Sequence, residues 1–369
     1  MKFICQKQEL TKALTIVTKA VTNRSTIPVL KGIMLEAAPS GQLTISASDL
    51  DLSIQDTIAV DTVEPGAVIV MARLFADIVK QLPGTEIQFD ANEDNKVTIR
   101  SMNSKFDIIG MSTDEFPVVN QVDDDTESIR FDKKTFREMV EKTSFAASTD
   151  ESRGIITGIL LELSPNQMTM VAIDGYRMAI NRRNTPDSGQ HEFVIAAGIL
   201  NEVSKILAVT EEDDDQGVLY LGKKRAIFRF GTVQAELKLL DGKFIAYRDI
   251  LPKKSGITMM ADRSLLMACI ERASLLAKAG KNNLVKFELQ DTVLTISSDS
   301  EEGSVREELA VTKEGPDLTI GFNAQYLQHV LKAIDDTEVK LLFNSPIDPC
   351  LVEPLTGSAY EYLVLPVRI

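Results

Sequence analysis

The sequence predicts an α+β protein built from three tandem similar domains, each a doubled β-α-β-β-β unit. An alternating apolar hairpin over Gly158–Ile180 ends in the corner Asp174-Gly175-Tyr176-Arg177-Met178. Weaker copies of this hairpin end at Asp49 and Asp299, so the three aspartates are 125 residues apart. A period of that length indicates repeated domains rather than a solenoid.

Each predicted domain contains two places where a short strand leads into an amphipathic helix. The six strands are predicted at Phe3–Gln6, Ala67–Val70, Ile129–Phe131, Phe193–Ala196, Ile257–Met260 and Leu318–Gly321. The six helices are predicted at Gln8–Val21, Arg73–Leu82, Lys133–Phe145, Ile199–Leu207, Arg263–Lys278 and Gln325–Ile334, among roughly two dozen strands. Polar linkers near 123–125 and 253–256 predict domains over 1–122, 128–252 and 253–369.

Length and composition indicate a globular, cytoplasmic protein. A chain of 369 residues is long enough for three separate cores. No apolar run reaches the roughly 18 residues of a membrane helix, and Lys2 and Lys7 interrupt any signal-like start. Cys5, Cys269 and Cys350 stand singly in apolar sequence, which predicts buried, reduced thiols rather than a disulfide framework or a zinc site.

The charge is distributed unevenly along the chain. The net charge is −14, which alone argues against nucleic acid as a partner. The helical windows 7–24, 73–80, 133–142, 199–207, 263–281 and 325–332, however, carry sixteen Lys or Arg against six Asp or Glu. Any one surface helix exposes basic residues, but six repeat-related helices of one sign favour a shared function.

A positive face made of helices has a specific use if the three domains continue around an arc. The sheets would form the outside and the six helices would line the inner face of a ring. Such a face contacts phosphates without reading base edges, and its binding is sensitive to salt. The sequence therefore predicts a protein that encircles duplex DNA independently of base sequence.

The groups that an enzyme requires are not evident in the sequence. His191 and His329 have no cysteine or carboxylate pair at ligand spacing, and Gly242-Lys243 lacks the earlier glycine of a phosphate loop. The acidic run 211–215 would place Lys224 where a calcium loop needs a bidentate glutamate, so a solvated turn is the better interpretation. We expect no catalytic activity, no cofactor and no metal.

Several motifs together resemble the bacterial sliding clamp, the β subunit of DNA polymerase III. They occur in order along the whole chain: Met1-Lys2-Phe3, Arg24-Ser25-Thr26-Ile27-Pro28, Ile156-Thr157-Gly158, Asp174-Gly175-Tyr176-Arg177-Met178, Asp241-Gly242-Lys243-Phe244, Tyr247-Arg248-Asp249-Ile250-Leu251-Pro252 and Leu365-Pro366-Val367-Arg368-Ile369. The resemblance implies a head-to-tail homodimer ring of six similar domains, which acts as a processivity factor by tethering the replicative polymerase to duplex DNA.

The resemblance also implies a hydrophobic cleft for short linear peptides of the polymerase, the clamp loader and repair proteins. Thirteen residues map to this cleft: Ile156, Ile173, Gly175, Tyr176, Arg177, Met178, Ile245, Ile250, Leu363, Leu365, Pro366, Val367 and Arg368. Exposed aliphatics, one aromatic ring and two arginines suit an extended peptide with an apolar anchor. The alternative is that the C-terminal run is merely an edge strand of the third domain.

Two further sets of residues are expected to contact DNA and to form the dimer interface. Contacts with DNA phosphates are expected from Arg24, Arg73, Lys80, Lys205, Lys278 and Lys332. The dimer interface is expected to contain Lys96, Arg100, Lys105, Phe106, Ile108, Leu275, Leu276, Glu301 and Glu302. The chain departs from the family at Tyr176 (a family histidine), Ile245 (a family proline) and Ala196-Ala197-Gly198, where many clamps carry basic residues. A protein-only scaffold of triplicated domains and a hydrolase with an unrecognised site are the alternative functions.

Overall fold

The computed structural model describes residues 1–22, 25–117, 119–120, 127–185, 189–210 and 215–369. Their contacts form two compact units, the first from Met1–Lys134 and Glu202–Leu239, the second from Thr135–Asn201 and Leu240–Ile369. Three features noted in the sequence lie outside the described residues: Arg24, the acidic linker 123–125 and the acidic run 211–214.

Six α-helices lie within the described ranges, one at each predicted place. They are α1 (Lys7–Val17), α2 (Ala72–Gln81), α3 (Lys133–Glu141), α4 (Ala197–Val209), α5 (Arg263–Ala277) and α6 (Ala324–Lys332). Both α1 and α3 end four residues before their predicted ends and continue as short 3₁₀ turns. Threonine side chains explain this, because Thr18 and Thr143 each donate a 2.6 Å hydrogen bond to the carbonyl four residues earlier.

Twenty-six strands lie in the same described ranges. The first thirteen are β1 (Lys2–Gln6), β2 (Gly32–Ala38), β3 (Gln42–Ser48), β4 (Leu52–Ala59), β5 (Asp61–Glu64), β6 (Gly66–Met71), β7 (Glu86–Ala91), β8 (Lys96–Ser101), β9 (Ser104–Ile109), β10 (Ser128–Asp132), β11 (Gly158–Ser164), β12 (Gln167–Ile173) and β13 (Arg177–Asn184). The others are β14 (His191–Ala196), β15 (Gln216–Leu221), β16 (Arg225–Phe230), β17 (Val233–Lys238), β18 (Ile257–Asp262), β19 (Leu284–Gln290), β20 (Val293–Ser300), β21 (Gly303–Ala310), β22 (Thr312–Glu314), β23 (Leu318–Asn323), β24 (Glu338–Phe343), β25 (Cys350–Glu353) and β26 (Tyr360–Val364).

The first unit contains two antiparallel sheets. One has five strands in the order β5-β1-β7-β8-β9, and the other has eight in the order β10-β15-β16-β17-β4-β3-β2-β6. Strand β17 pairs with β4 from Gln234↔Gln55 to Leu237↔Leu52. This sheet therefore runs without a break from residues of the first predicted domain to residues of the second.

The second unit also contains two sheets. One has nine strands in the order β14-β11-β12-β13-β26-β25-β24-β18-β22, and the other has four in the order β21-β20-β19-β23. Strand β26 pairs with β25 of the third repeat on one side and with β13 of the second repeat on the other. The C-terminal run through Val364 is thus the outer strand of the third repeat, and the second repeat covers its outer side. Pro366 follows β26, where its missing N–H disturbs no ladder.

Backbone pairing across both joints explains why the compact units differ from the predicted domains. A continuous antiparallel ladder makes the joint between two repeats as densely bonded as the interior of either repeat. The two compact units therefore do not begin and end at the polar linkers. The boundaries 1–122, 128–252 and 253–369 stay a prediction from the repeat.

The three cysteines are buried and unbonded, as the sequence predicted. Burial raises the pKa of the Cys5 thiol to about 12, and it also raises the pKa of Cys269 and Cys350. Thiols of this kind are poor nucleophiles, which suits a packing role. Among the described residues, no helix combines the length and apolarity that crossing a membrane requires.

Candidate peptide cleft and basic helices

The corner after β12 is built around the Asp174 carboxylate. Its Oδ1 accepts the backbone N–H groups of Tyr176 at 2.8 Å and Arg177 at 3.0 Å, and its Oδ2 accepts Arg177 Nε at 2.9 Å. Gly175 adopts φ +91°, a region that disfavours side chains. A Cβ at Gly175 would also lie 3.0 Å from an Arg153 guanidinium nitrogen. The Asp-Gly pair therefore fixes the corner and presents the Tyr176 side chain to solvent.

The same turn recurs in the first unit but not in the third repeat. Asp49 Oδ1 accepts the N–H groups of Asp51 and Leu52, and Leu50 has φ +79° in the position of Gly175. Asp299 instead lies within β20, where it pairs with Ser304, and the hairpin closes one residue later, where Ser300 pairs with Gly303. The 125-residue period of aspartates therefore marks equivalent corners only in the first two repeats.

Arg177 is held by its own unit rather than presented to a ligand. Its side chain is only 10% exposed. The guanidinium carbon lies 4.6 Å from the centre of the Tyr326 ring and 5.5 Å from that of Phe145. A guanidinium nitrogen also contacts Nδ1 of His329. The resemblance assigned Arg177 to the cleft as one of two arginines, but the ion pair with Asp174 and two aromatic faces occupy its guanidinium.

The floor of the predicted cleft is a buried apolar cluster in the second unit. Ile156, Ile173, Met178 and Leu363 have exposed fractions of 8%, 6%, 1% and 3%. They pack with other buried residues, including Leu160, Val171, Ile180, Val194, Phe244, Tyr247 and Leu351. Exposed aliphatics were expected at these positions, but β12, β13 and β26 are buried on both faces there. Ile156 lies in the 3₁₀ segment before β11 and is buried as well.

The rim above this floor carries the exposed apolar surface. Tyr176 is 57% exposed, Ile245 39% and Ile250 38%. The Tyr176 ring stacks on Tyr326 with centroids 6.2 Å apart. Leu365 is half-buried against the floor cluster. The thirteen predicted residues thus divide into a closed floor and an accessible rim, all within the second unit.

The C-terminal tail, which was assigned to the predicted cleft, is attached through two backbone bonds. Leu365 N–H donates to the Tyr176 carbonyl at 2.8 Å, and Val367 N–H donates to the Gly321 carbonyl at 2.8 Å. Pro366 and Val367 are half-buried between these two bonds, whereas Arg368 is exposed. The tail is therefore fixed by backbone bonds on both sides of Pro366.

A cavity of about 300 Å³ adjoins the rim at Ile245. Phe244 and Tyr247 line it together with Glu162 and Arg248. Glu162 accepts two bonds from Arg248, at 2.9 and 2.6 Å, and one from the Tyr247 hydroxyl at 2.7 Å. Burial, followed by the bond to Glu162, raises the pKa of Tyr247. This network locks the segment that carries Ile245 and Ile250 onto β11.

The basic residues predicted to face DNA are exposed on helices wherever the structure describes them. In the first unit Arg73 and Lys80 lie on α2, and Lys205 lies on α4, where it pairs with Glu202 at 2.7 Å. In the second unit Lys278 ends α5 and Lys332 lies in the last turn of α6. Gly198, in the Ala196-Ala197-Gly198 segment at the start of α4, has open space around it.

The predicted dimer residues lie on or next to two edge strands, one in each unit, with Lys96 and Arg100 on the neighbouring β8 and Leu275 and Leu276 on α5. In the described part of the chain, β9 is the outer strand of the five-stranded sheet and β21 is the outer strand of the four-stranded sheet. Phe106 of β9 is 39% exposed, and Leu275 of α5, beside β21, is 69% exposed. Glu301 and Glu302 form the tip of the β20–β21 hairpin. Each edge offers unpaired backbone groups next to apolar surface.

Sequence reasoning missed the residues that hold the corner from other elements. Arg153 donates to the Asp174 carbonyl, and Phe145, Tyr326 and His329 surround Arg177. Tyr326 and His329 lie three residues apart on α6, a spacing that places both on one face. The spacing of Tyr326 and His329 was visible in the sequence and could have indicated that both face one partner. No local sequence pattern indicated a role for Arg153.

Repeated sheet-and-helix domains joined by continuous sheets define the sliding-clamp class of DNA replication proteins. Family models for the DNA polymerase III β subunit match this chain three times: the N-terminal domain over residues 1–120, the central domain over 130–245 and the C-terminal domain over 248–368. The chain therefore belongs to the DNA polymerase III β subunit family.

Whole-chain relatives agree with this assignment. The β sliding clamp of Staphylococcus aureus is 32% identical over 379 aligned residues, which cover 100% of this chain and 99% of the relative. The sliding clamp structure from Bacillus subtilis superposes with a TM-score of 0.95 at 30% identity, covering 100% of this chain and 99% of that one. A Pseudomonas aeruginosa clamp bound to griselimycin has a TM-score of 0.93 at 28% identity, with both chains fully covered.

Proposed function

We propose that this sliding clamp encircles duplex DNA as a head-to-tail ring of two copies and tethers the replicative polymerase, the clamp loader and repair proteins through its cleft. Family membership along the entire chain is the observation that carries the proposal. The function requires no catalytic group, because encirclement retains the protein on DNA. We expect it to act in the cytoplasm, where the chromosome of a bacterium lies.

The contact with DNA is proposed to be made by cations on the six helices. Arg73, Lys80, Lys205, Lys278 and Lys332 are exposed, and Arg24 is assigned with them from the sequence. Mobile surface cations interact with phosphates without selecting a base sequence. Gly198 supplies no cation where relatives carry one, so this chain relies more on Lys205, which lies two helical turns further along α4.

The ring is proposed to close by pairing β9 of one copy with β21 of the other. Both are sheet edges, so antiparallel backbone bonds can continue one sheet into the next. Phe106 and Ile108 would pack against Leu275 and Leu276, while Lys96, Arg100 and Lys105 would face Glu301 and Glu302. The interface is heterologous, and two such contacts close a ring of two chains.

The cleft is proposed to bind an extended peptide that has an apolar anchor. The exposed rim at Tyr176, Ile245 and Ile250 supplies the contact area, and the buried floor beneath it is already dry. Arg368 and Arg153 are exposed, so we expect them rather than Arg177 to pair with a carboxylate or carbonyl of the peptide. Griselimycin, bound by the Pseudomonas aeruginosa relative, is proposed to bind this chain as well.

Deleting Leu365–Ile369 tests the assignment of the cleft. A micromolar peptide interaction corresponds to about 8 kcal/mol, and single anchor contacts contribute roughly 2 to 4 kcal/mol, so losing one wall should abolish measurable binding. The probes are griselimycin and a synthetic peptide copied from the same organism's polymerase tail. We expect no heat of binding by calorimetry but an unchanged dimer mass by light scattering. Normal affinity for both probes after the deletion would place the partner site elsewhere.

Retention on DNA tests the ring. The unmodified protein, loaded onto nicked circular duplex DNA by its loader, should stay bound through gel filtration and be released when the circle is cut. A protein-only scaffold would show no retention on the circle. Retention that survives linearisation would contradict encirclement and indicate ordinary affinity binding.

A further inference from the structure

Strand β23 and the C-terminal tail meet at Gly321. The Val367 N–H donates to the Gly321 carbonyl at 2.8 Å, and the two residues form an isolated antiparallel bridge. Gly321 also pairs with Lys286 of β19 on its other side. The bridge is the point at which the tail is attached to the four-stranded sheet, beyond its pairing with Tyr176.

The space at Gly321 excludes any side chain. A Cβ there would lie 2.7 Å from the Val367 carbonyl oxygen, 2.9 Å from Ile369 Cγ1 and 2.9 Å from Leu284 Cδ1. Gly321 is not among the residues with positive φ, so its backbone conformation is open to any residue. The glycine is therefore required by the close approach of the tail and not by a turn.

Strand β23 cannot withdraw to make room. Its neighbours Ile320 and Phe322 are 1% and 0% exposed, and the strand is paired with β19 over its whole length. The tail, in contrast, is attached by only two backbone bonds and ends in exposed residues. A side chain at Gly321 would consequently displace the tail rather than the strand.

We propose that Gly321 is a positioning residue for peptide binding, which acts by letting the tail seat Pro366 and Val367 as the wall of the cleft. This inference rests on the proposed function of the cleft. Gly321 itself does not need to touch the peptide. Its contribution is the absence of a Cβ, which keeps the wall at the distance an extended peptide requires.

Gly321→Ala in the full-length protein is the first test, with Gly198→Ala as the matched control because nothing lies within 4 Å of a Cβ there. Gly321→Ala should weaken both griselimycin and the polymerase-tail peptide by about tenfold or more, whereas Gly198→Ala should leave both affinities unchanged. Hydrogen exchange measured by mass spectrometry should accelerate in the segment 365–369 of Gly321→Ala and stay unchanged in β19.

A double-mutant cycle separates action through the tail from damage to the sheet. Removing Val367–Ile369 alone should weaken the probes by a similar factor, and adding Gly321→Ala should weaken them no further. A second variant, Val367→Pro, removes the donor of the bridge without altering β23, and it should reproduce the loss even if Gly321→Ala folds poorly.

The results of these experiments either support or overturn the positioning role of Gly321. Unchanged affinity in both Gly321→Ala and Val367→Pro, or losses that add to the effect of the truncation, would overturn the positioning role while leaving the cleft assignment intact. Failure of the unmodified protein to bind either probe would overturn the proposed function and this inference together.

Discussion

The Lys133 ammonium donates a 3.0 Å hydrogen bond to the Thr210 carbonyl, and its side chain is buried with 1% exposure. Lys133 begins α3, whereas Thr210 follows the last residue of α4. The other repeats contain the same contact, because Lys7 of α1 bonds the Leu82 carbonyl after α2, and Arg263 of α5 bonds the Asp336 carbonyl beyond α6. One cation in each repeat thus satisfies carbonyls at or just beyond the negative end of the neighbouring helix.

Replacing the buried cation should destabilise the protein. Lys133→Met keeps the length of the side chain but removes a charged hydrogen bond at a helix end, which should cost about 1 to 3 kcal/mol. Lys134→Met is the matched control, since Lys134 is exposed in the next position. Urea unfolding followed by circular dichroism should show a lower midpoint for Lys133→Met only. Equal midpoints for both variants would contradict the structural role.

These contacts also correct the interpretation of helix charge. Sequence alone counted Lys7, Lys133 and Arg263 among the basic residues of a DNA-facing surface. The structure directs all three into contacts with backbone carbonyls of their own units, because the first residue of a helix lies beside the end of its neighbour. A count of charges along a helix cannot distinguish these inward cations from exposed ones such as Lys80.

The fold was predictable where periodicity was strong. All six helices and the strands before them occur within a few residues of their predicted positions, because amphipathic spacing and alternation depend on local sequence. The pairing of β13 with β26 was not predictable, since it joins residues about 180 positions apart and leaves no local pattern. The burial of Met178 and Leu363, and hence the division of the cleft into floor and rim, depends on that pairing.

Stability should fall as the pH decreases from 7 to 5, in part through His329. Burial first, and then the charges of Arg177 and Lys332, lower the pKa of His329 from its ordinary 6.5. The unfolded chain therefore binds more protons than the folded one just below pH 6.5, and the stabilisation present above that pH is lost as the pH falls through the window. His329→Gln should flatten this part of the curve of unfolding free energy against pH.

His191→Gln provides the matched histidine replacement for that experiment. It removes the other histidine of the chain, which lies on β14. Both variants should be compared with the parent in urea titrations at half-unit pH intervals. An unchanged slope in His329→Gln would show that the pKa of His329 is not lowered in the folded protein.

Leu275→Asp should convert the proposed dimer into monomers. Leu275 is 69% exposed beside the edge strand β21, so a carboxylate there would be desolvated if a second chain covered it. Leu265→Asp is the matched control, because Leu265 is 57% exposed on the same helix, nearly three turns away. Light scattering at micromolar concentration should report a monomer mass for the first variant and a dimer mass for the second. A dimer in both would place the interface elsewhere.

Reversing two helix charges should weaken DNA association without creating sequence preference. Lys80→Glu with Lys205→Glu removes two proposed phosphate contacts, and each contact contributes about 0.9 to the slope of log affinity against log salt. The control pair Lys223→Glu and Lys224→Glu makes the same change of charge in the exposed turn between β15 and β16. Fluorescence anisotropy across a salt series should show a shallower slope for the helix pair only. Equal salt slopes for the two variant pairs would show that Lys80 and Lys205 do not contact DNA.

Two substitutions in the cleft should separate its rim from its floor. Ile245 is 39% exposed, so Ile245→Asp leaves the core intact but places a hydrated carboxylate where the peptide anchor would pack. Met178 is 1% exposed within the floor cluster, so Met178→Asp buries an unpaired charge and should unfold the second unit. Calorimetry should therefore find that Ile245→Asp is folded and binds griselimycin with at least tenfold lower affinity. Met178→Asp should show no cooperative melting transition.

Normal affinity of Ile245→Asp for griselimycin would show that the exposed rim takes no part in recognition. A stably folded Met178→Asp protein would show that the floor is open to water.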